Sequence, residues 1–320
     1  MRGVIGLFTA GFCAAAVSLA PVSARAQESS ATSADLPLIN SYAFPTGEAP
    51  LAQAVTGLGE ITLAAQLTPD GAQIGRGLAW SVFSPQPGAD GKLPLVASAR
   101  GGSAVFQLEP GSYLVHAAFG RAGATKRITV GRENKNENVV LDAGGLRLNA
   151  MLTGGGQARA SLLKFEIRDS KPDAKGDHPL IVRDIGPNVL VRLNAGNYQI
   201  VSKYGNLNAV IRSDIRVEAG KLIEATIEHH AAELTIKLVR EPGGEAIADT
   251  SWSIIADSGD PVAEVVGAYA SMALAEGEYT IIAKNRDRLY QKDLKVESGK
   301  NREIEVIASE DAANQADEAD

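Results

Sequence analysis

Four histidines are the residues in this sequence best suited to metal binding, because imidazole is a frequent zinc ligand. They are His116, His178, His229 and His230. No pair has the His-x-x-x-His spacing of a zinc site, and the adjacent His229 and His230 would point to opposite sides of a strand. The sequence therefore predicts four ordinary surface histidines and no metal site.

Three aspartates are candidate ligands for calcium, the second kind of chemistry considered. Asp169, Asp173 and Asp177 recur every four residues in one polar stretch. Calcium loops place their oxygen ligands at closely alternating positions, whereas Lys171 and Lys175 interleave here and would oppose a cation. We therefore expect a solvated loop.

Nucleophile and phosphate motifs occur only as fragments. Ser161 and Lys164 have the Ser-x-x-Lys spacing of penicillin-recognising enzymes, but the Lys-Thr-Gly motif is missing and Ser161 leads into a predicted strand. The glycines at 154–156 lack the Gly-Lys-Ser/Thr ending of a phosphate loop, and no Gly-x-Ser-x-Gly occurs. The sequence predicts neither catalytic residues nor a cofactor.

The chain that must position these residues is folded and acidic. Its 320 residues, 45% hydrophobic and 22% charged, are typical of a folded protein with two or three domains. The 31 Lys and Arg against 38 Asp and Glu give a net charge of −7. This balance argues against nucleic acid or an anionic membrane surface as the main partner.

Residues 1–26 have the pattern of a secretory signal. A basic start precedes an apolar run, and Ala24-x-Ala26 supplies a small-residue cleavage site. A retained membrane anchor is the alternative. The single cysteine, Cys13, lies in this segment in a context unsuited to lipid attachment, and loss of the segment's two arginines takes the net charge from −7 to −9. We predict a periplasmic or secreted protein, cleaved after Ala26, without disulfides or a later membrane span.

One motif occurs three times along the chain. The pattern Leu-x-x-Gly-x-Tyr places its glycine and tyrosine at Gly111 and Tyr113, at Gly196 and Tyr198, and at Gly277 and Tyr279. An aromatic residue lies upstream in each copy, at Trp80, Phe165 and Trp252. The motif glycines are 85 and 81 residues apart, so each copy has the length of one small domain.

Apolar and polar residues alternate within each copy, which is the period of a strand with one buried face. Helical periodicity is absent from the copies, and turn residues separate the runs. We predict an all-β fold of three tandem antiparallel β-sandwiches, with immunoglobulin-like or transthyretin-like strand order left open. In the second copy the predicted strands are 145–152, 162–168, 179–184, 188–193, 197–204, 210–217 and 221–229.

The repeated motif resembles the tyrosine corner of immunoglobulin-like sandwiches. In this interpretation Leu closes one strand and Gly allows a positive φ at the turn. Tyr then enters the next strand with its ring in the core and its hydroxyl bonded to a nearby backbone group. The upstream aromatic rings would be core partners of the tyrosines, and ligand stacking is their alternative role.

The pattern Leu-x-x-Gly-x-Tyr-x-Val, followed by Val-x-x-Gly-Lys at Gly220 and Gly299, resembles the carboxypeptidase regulatory-like and bacterial immunoglobulin-like repeats of exported proteins over residues 57–308. The first copy departs from it with a polar stretch at 132–138, which we expect to form a loop. The resemblance implies attachment, spacing or ligand presentation rather than turnover of a substrate.

The resemblance also raises one covalent possibility. Some surface-protein sandwiches of this kind carry a Lys to Asn cross-link between first and last strands. Lys237 and Asn301 have roughly that placement. Two solvated residues are the alternative.

The repeats divide the chain into six segments. They are a signal (1–26), a flexible leader (27–56), three sandwiches (57–143, 144–230 and 231–308) and an acidic disordered tail (309–320). The joins between sandwiches are short. We therefore expect a bent rod with limited hinge freedom, in which Gly144 and Gly145 form the looser joint.

The leading functional hypothesis is a non-catalytic exported binding or scaffolding protein that presents loops on a rigid array of sandwiches. A mechanical spacer or adhesive stalk in the cell envelope is the alternative, and an enzyme is the third possibility. Candidate contact loops are 85–92, 169–178 and 285–288. The expected partner is a protein or an envelope glycan.

Overall fold

The structure is a computed structural model that describes residues 57–154 and 156–309. The predicted signal, the predicted leader and the acidic stretch after Ser309 lie outside these residues. The described chain is all β apart from one 3₁₀ turn, Ala160–Leu162, and it forms three tandem β-sandwiches, which confirms the predicted fold class. A membrane-spanning helix of sufficient length and apolarity does not occur in the described ranges.

Each sandwich contains seven strands. The first sandwich consists of β1 (Gly59–Gln66), β2 (Leu78–Phe83), β3 (Leu95–Gly101), β4 (Ala104–Leu108), β5 (Gly111–Phe119), β6 (Ala122–Val130) and β7 (Lys135–Val140). The second consists of β8 (Ala143–Leu152), β9 (Leu163–Asp169), β10 (Leu180–Ile185), β11 (Leu190–Asn194), β12 (Gly196–Tyr204), β13 (Val210–Val217) and β14 (Leu222–His229). The third consists of β15 (Ala231–Val239), β16 (Thr250–Ala256), β17 (Pro261–Val266), β18 (Tyr269–Ala275), β19 (Gly277–Asn285), β20 (Arg288–Val296) and β21 (Arg302–Ile307).

The strands form a three-stranded and a four-stranded sheet in each sandwich, in the same order every time. In the first sandwich β4, β1 and β7 form the small sheet, and β3, β2, β5 and β6 form the large sheet. The first and last strands pair in parallel, and the other pairs are antiparallel. Lettered A to G, the order is D-A-G and C-B-E-F, whereas immunoglobulin constant domains have A-B-E-D and C-F-G. The strand order therefore differs from that of an immunoglobulin constant domain.

Alternation along the strands gives each sheet one buried face. In β1 and β2 every second residue is buried, starting with the first, which is the period of a sheet with one solvated side. The core of each sandwich lies between its two sheets and consists of aliphatic side chains and aromatic rings. Because the only cysteine of the chain is Cys13, packing and strand hydrogen bonds hold the sandwiches together.

All seven strands predicted for the second sandwich are present, and their ends differ from the predicted ones by no more than two residues. The prediction for the first sandwich is wrong at one place, because β7 begins at Lys135, inside the polar stretch expected to be a loop. Among the described strands β7 pairs only with β1, at the edge of the small sheet. An edge strand tolerates outward polar side chains, which hide its strand character in the sequence.

The joins between sandwiches are shorter than the sequence indicates. Two residues separate β7 from β8, and one residue separates β14 from β15. Gly144 and Gly145, which we expected in a loose linker, are part of β8. A Cβ on Gly144 would lie 2.2 Å from the carbonyl oxygen of Glu218. Close approach of two backbone segments therefore explains this glycine, rather than a need for free rotation.

Candidate functional site

The repeated tyrosine forms the same corner in all three sandwiches. Each hydroxyl donates a hydrogen bond of 2.8–2.9 Å to the backbone carbonyl four residues upstream: Tyr113 to Glu109, Tyr198 to Asn194 and Tyr279 to Ala275. Each ring belongs to or packs against the core of its own sandwich. Burial raises the pKa of all three hydroxyls, so they remain donors at neutral pH and fix the turn between the small and the large sheet.

The glycine of the motif does not have the conformation that the sequence predicts. Gly111 and Gly196 have no positive φ, and Gly277 has a φ of 159°, which is close to extended backbone. A Cβ at these positions would lie 3.5–3.9 Å from the ring of the tyrosine two residues later. The predicted positive φ is therefore wrong for Gly111 and Gly196, and all three glycines lie against the ring of the tyrosine.

The upstream aromatic rings are fully enclosed. Trp80, Phe165 and Trp252 are no more than 1% exposed. The indole N–H groups of both tryptophans donate to backbone carbonyls, at Gly102 and Gly267, which satisfies the polar edge of a buried indole. Such burial leaves no ring face open for the alternative role of ligand stacking.

The first joint connects the first and second sandwiches through the β5–β6 hairpin, which lies against the end of β11. Asn194, the last residue of β11, accepts a hydrogen bond from the backbone N–H of Gly123 and donates to the carbonyls of Gly123 and Leu141. The guanidinium of Arg192 lies 4.2 Å from the centre of the Phe119 ring. The contacts that hold this hairpin are therefore polar and cation–π interactions.

The second joint uses the same place in the fold, with the β12–β13 hairpin against the end of β18. Here the asparagine belongs to the hairpin: Asn208 accepts from the backbone N–H of Ala275 and donates to the hydroxyl of Tyr279. Leu207 packs against the third core, and Ala273 is part of the second core. At the first joint Ala143 of β8 is part of the first core, but within the described ranges the β5–β6 hairpin and the end of β11 place no residue in each other's core.

Both linkers are hydrogen-bonded to the sandwich before them and to the sandwich after them. At the first joint the backbone N–H of Leu141 donates to Gln66, and that of Ala195 donates to Asp142. At the second joint Nδ1 of His230 lies 3.3 Å from the hydroxyl of Thr153, and the backbone N–H of Glu276 donates to the carbonyl of His230. Linkers this short, bonded on both sides, leave little rotational freedom between neighbouring sandwiches.

A serine and a histidine lie within hydrogen-bonding distance inside the second sandwich. Ser202 Oγ and His229 Nε2 are 2.7 Å apart, and both residues are fully buried. The surface position predicted for His229 is wrong, because the end of β14 turns this side chain into the core beside Tyr204. Burial, with a smaller contribution from His230, lowers the pKa of His229 to about 4. The neutral pair has no path to a substrate and is part of the core.

A second polar group crosses the second joint. The hydroxyl of Tyr204 donates to Glu233 over 2.5 Å, and the other oxygen of that carboxylate pairs with Arg159 at 2.7 Å. Tyr204 and Arg159 belong to the second sandwich, and Glu233 lies in β15 of the third. Burial and the Glu233 carboxylate raise the pKa of Tyr204 to about 12, so the hydroxyl donates throughout the physiological range.

Two of the three aspartates close local turns. Asp169 accepts the backbone N–H of Lys171, and Asp173 accepts those of Lys175 and Asp177, as Asx turns do. Three or more metal-ligating side chains do not come together anywhere in residues 57–154 or 156–309.

The other residues singled out in the sequence stay apart. His116 pairs with Thr125, and His178 bonds the carbonyl of Asp169. Ser161 lies in the 3₁₀ turn, whereas Lys164 is an exposed residue of β9. His230 is exposed, beside Glu276.

The structure contradicts the placement needed for a Lys to Asn cross-link. Lys237 Nζ lies 2.7 Å from Glu303 and 3.1 Å from Glu305. The side chain of Asn301 instead accepts the backbone N–H of Glu233. The parallel register of β15 and β21 opposes Lys237 to Glu305, four residues beyond Asn301.

One surface was not predicted from the sequence motifs: the outer face of the large sheet of the second sandwich. Glu166 and Arg168 on β9, Lys203 on β12 and Arg212 on β13 line a cleft of about 300 Å³ there. The residues at 176–178, within one expected contact loop, form its rim. The alternating Lys-x-Glu-x-Arg pattern of β9 is the signal that could have identified this face.

Comparison with known protein families matches residues 233–308, the third sandwich, to the Rhizobiales growth-associated tandem repeat domain. This match agrees with the repeated organisation of the chain. No curated protein matches the sequence. The narrower resemblance to carboxypeptidase regulatory-like repeats stays a proposal.

Several solved structures are similar over long stretches at low identity. The TIE protein of Bacillus anthracis is 16% identical over 79% of this chain and 51% of its own, with a TM-score of 0.25. The minor pilin GBS52 of Streptococcus agalactiae is 14% identical over 53% of this chain and 95% of its own, with a TM-score of 0.32. The major pilin BcpA of Bacillus cereus is 10% identical over 79% of this chain and 100% of its own, with a TM-score of 0.21.

This chain thus spans about half the length of the TIE protein. The TM-scores are too low to support an argument about function. The function must be argued from the residues of this chain.

Proposed function

We propose that this protein is a non-catalytic exported scaffold, which holds three β-sandwiches in fixed relative positions and presents a binding surface in the periplasm or outside the cell. The observation that carries the proposal is the double bonding of both linkers, each to the sandwich before it and the sandwich after it. Export rests on the signal-like pattern of residues 1–26.

The sealed Ser202 and His229 pair supports the non-catalytic part of the proposal. A general base must reach the proton that it takes from substrate. Both side chains are 0% exposed, so this pair cannot serve. The repeated tyrosines are bonded to backbone carbonyls and therefore serve the fold.

A mechanical spacer or adhesive stalk is the second candidate function. It needs the same rigid joints but no binding surface. The charged cleft on the second sandwich favours presentation of a surface, because a spacer has no need for a group of charged side chains around a concave site.

Distances between spin labels test the fixed joints. The mature chain has no native cysteine, so pairs of labels can be introduced cleanly. Ser98→Cys with Asn197→Cys spans the first joint, and Asn197→Cys with Ser251→Cys spans the second, at three exposed positions. We expect one narrow distance distribution for each pair.

A matched control inserts Gly-Gly-Ser-Gly between Asp142 and Ala143, which separates the first linker from β8. This insertion should broaden the distribution for the first joint and leave the second unchanged. Broad distributions in the uninserted chain would contradict the scaffold proposal.

A further inference from the structure

We infer that the outer face of the large sheet of the second sandwich binds an acidic glycan, a chain whose sugars carry carboxylate groups. The inference gives the proposed scaffold its ligand class and rests on that role. It is carried by the charge and geometry of one sheet face, for which the other two sandwiches serve as internal comparisons.

The three large sheets differ in charge at eight equivalent outward positions, which are matched by the pairing of their strands. The first sandwich has one cation and no anion there: Ala79, Ser81, Phe83, Leu114, His116, Ala118, Thr125 and Arg127. The third has one cation and one anion: Ser251, Ser253, Ile255, Thr280, Ile282, Lys284, Gln291 and Asp293. The second has four cations and two anions: Lys164, Glu166, Arg168, Gln199, Val201, Lys203, Arg212 and Asp214.

A single carboxylate organises part of this face. One oxygen of Glu166 accepts two hydrogen bonds from Arg168, and the other accepts one from Lys203 over 2.5 Å. The Lys203 hydrogen bond, and after it that of Arg168, lowers the pKa of Glu166 against its partial burial. One negative charge thus positions two cations and leaves a net positive charge beside the cleft.

Arg212 supplies the free donor of the site. It is exposed, lies opposite Val201 in the strand pairing, and has no ion-pair partner in the described part of the chain. Val201 lies on the outer face, outside the core, yet is only 4% exposed. The cleft therefore has an apolar floor beside an unpaired guanidinium, whose planar donors match a carboxylate.

The other groups at the cleft favour a sugar chain over an acidic peptide. Gln199 and Asp177 line it and offer oxygen acceptors, which hydroxyl groups can satisfy. A peptide dense in carboxylates would meet Asp177 and the nearby Asp214. A glycan with one carboxylate per sugar, flanked by hydroxyls, matches a site that mixes cations with acceptors.

Titration calorimetry of the mature chain with tetragalacturonic acid, at pH 7 and physiological salt, tests the inference. We expect saturable binding that weakens about tenfold in Arg212→Gln, the loss of one charge-assisted contact. Arg127→Gln is the matched control, since it removes an exposed cation from β6, the equivalent strand of the first sandwich. It should change the affinity less than twofold.

Neutral maltotetraose and tetraglutamate are the comparison probes. No binding of tetragalacturonic acid, or equal weakening by both variants, would overturn the proposed site. Tighter binding of tetraglutamate would overturn the glycan and indicate an acidic peptide instead. The spin-label distances do not depend on glycan binding. A negative binding result would therefore overturn the glycan site without overturning the scaffold proposal.

Discussion

The first and second joints occupy the same place in the fold but hold their sandwiches by different chemistry. The first depends on the side chain of Asn194 and on the Arg192 guanidinium over Phe119. The second exchanges Leu207 and Ala273 between neighbouring cores and adds the hydrogen bond from Tyr204 to Glu233. A repeated geometry therefore does not require repeated side chains.

The difference predicts how the chain unfolds. Where the docked hairpin shares core residues with the next sandwich, the two sandwiches should lose their structure together, whereas a hairpin docked by polar contacts lets one sandwich unfold alone. The chain has two tryptophans, Trp80 in the first core and Trp252 in the third. Fluorescence of Trp252→Phe and Trp80→Phe variants thus reports each end separately, and Phe165 shows that phenylalanine fits the position.

We expect the largest loss of folding stability at acid pH, and we expect it in the second and third sandwiches, which the second joint connects. The pKa of His229 falls from 6.5 to about 4 in the folded chain, so the unfolded chain binds the proton more readily. Stability present above pH 6.5 is therefore lost as the pH falls to 4, by up to about 3 kcal/mol, with no further loss from this group below pH 4. Urea unfolding of Trp80→Phe, followed by Trp252 fluorescence, measures it.

His229→Gln in the same background is the test of cause, because it removes the titrating ring. This variant should show a smaller loss between pH 6.5 and 4, and His230→Gln should not. The first sandwich, followed by Trp80 fluorescence in Trp252→Phe, should not share the histidine-dependent loss. If it does, the three sandwiches unfold as one unit and the contrast between the joints fails.

Alanine substitution of two equivalent glycines should cause the next largest loss of stability. Gly220 and Gly299 both have a φ of 72°. A Cβ on Gly299 would lie 2.5 Å from the backbone oxygen of Thr153, whereas one on Gly220 would lie 3.0 Å from a methyl group of Thr68. We expect Gly299→Ala to lower the free energy of unfolding by about 3 kcal/mol and Gly220→Ala by about 1.5 kcal/mol, since a side chain can move aside.

Gly91→Ala separates backbone strain from crowding. Gly91 has a φ of 73° and no heavy atom within 4 Å of an added Cβ, so its loss should be about 1 kcal/mol from backbone strain alone. Urea denaturation of all three variants ranks them. A loss in Gly299→Ala no larger than that in Gly91→Ala would show that the backbone contact at the second joint is absent in solution.

The local features of this fold could be predicted from the sequence, because they depend on short-range periodicity. Alternation located the strands of the second sandwich, and the hydroxyl bond of Tyr198 spans only four residues. The joints could not be predicted in this way. Gly123 and Asn194, like Asn208 and Tyr279, are 71 residues apart, and only docking of whole sandwiches brings such residues together.

The candidate site could likewise be predicted only in part from the sequence. The alternating charges of β9 are visible in the sequence, but their union with Arg212 needs the pairing of β9, β12 and β13. The burial of His229 depends on which face of β14 meets the core, which the polar pattern of that strand obscures. A local charge pattern thus indicates that one strand has a charged outer face, and the strand order shows which residues of other strands lie beside it.

The smallest predicted difference is between alanine substitutions of the two joint asparagines, Asn194 and Asn208. Asn194→Ala removes three half-buried hydrogen bonds and leaves the backbone groups of Gly123 and Leu141 without this partner, a loss of about 1–2 kcal/mol. Asn208→Ala removes two bonds at an exposed residue, and the hydroxyl of Tyr279 keeps its bond to Ala275. Its loss should be under about 1 kcal/mol.

The spin-label distances give the same contrast a geometric measure. Asn194→Ala should broaden the distribution across the first joint, because little besides polar contacts positions that hairpin. Asn208→Ala should leave the second joint narrow, since Leu207 and Ala273 still pack between the cores. Equal broadening at both joints would mean that the asparagines position the sandwiches and that the shared core residues contribute little.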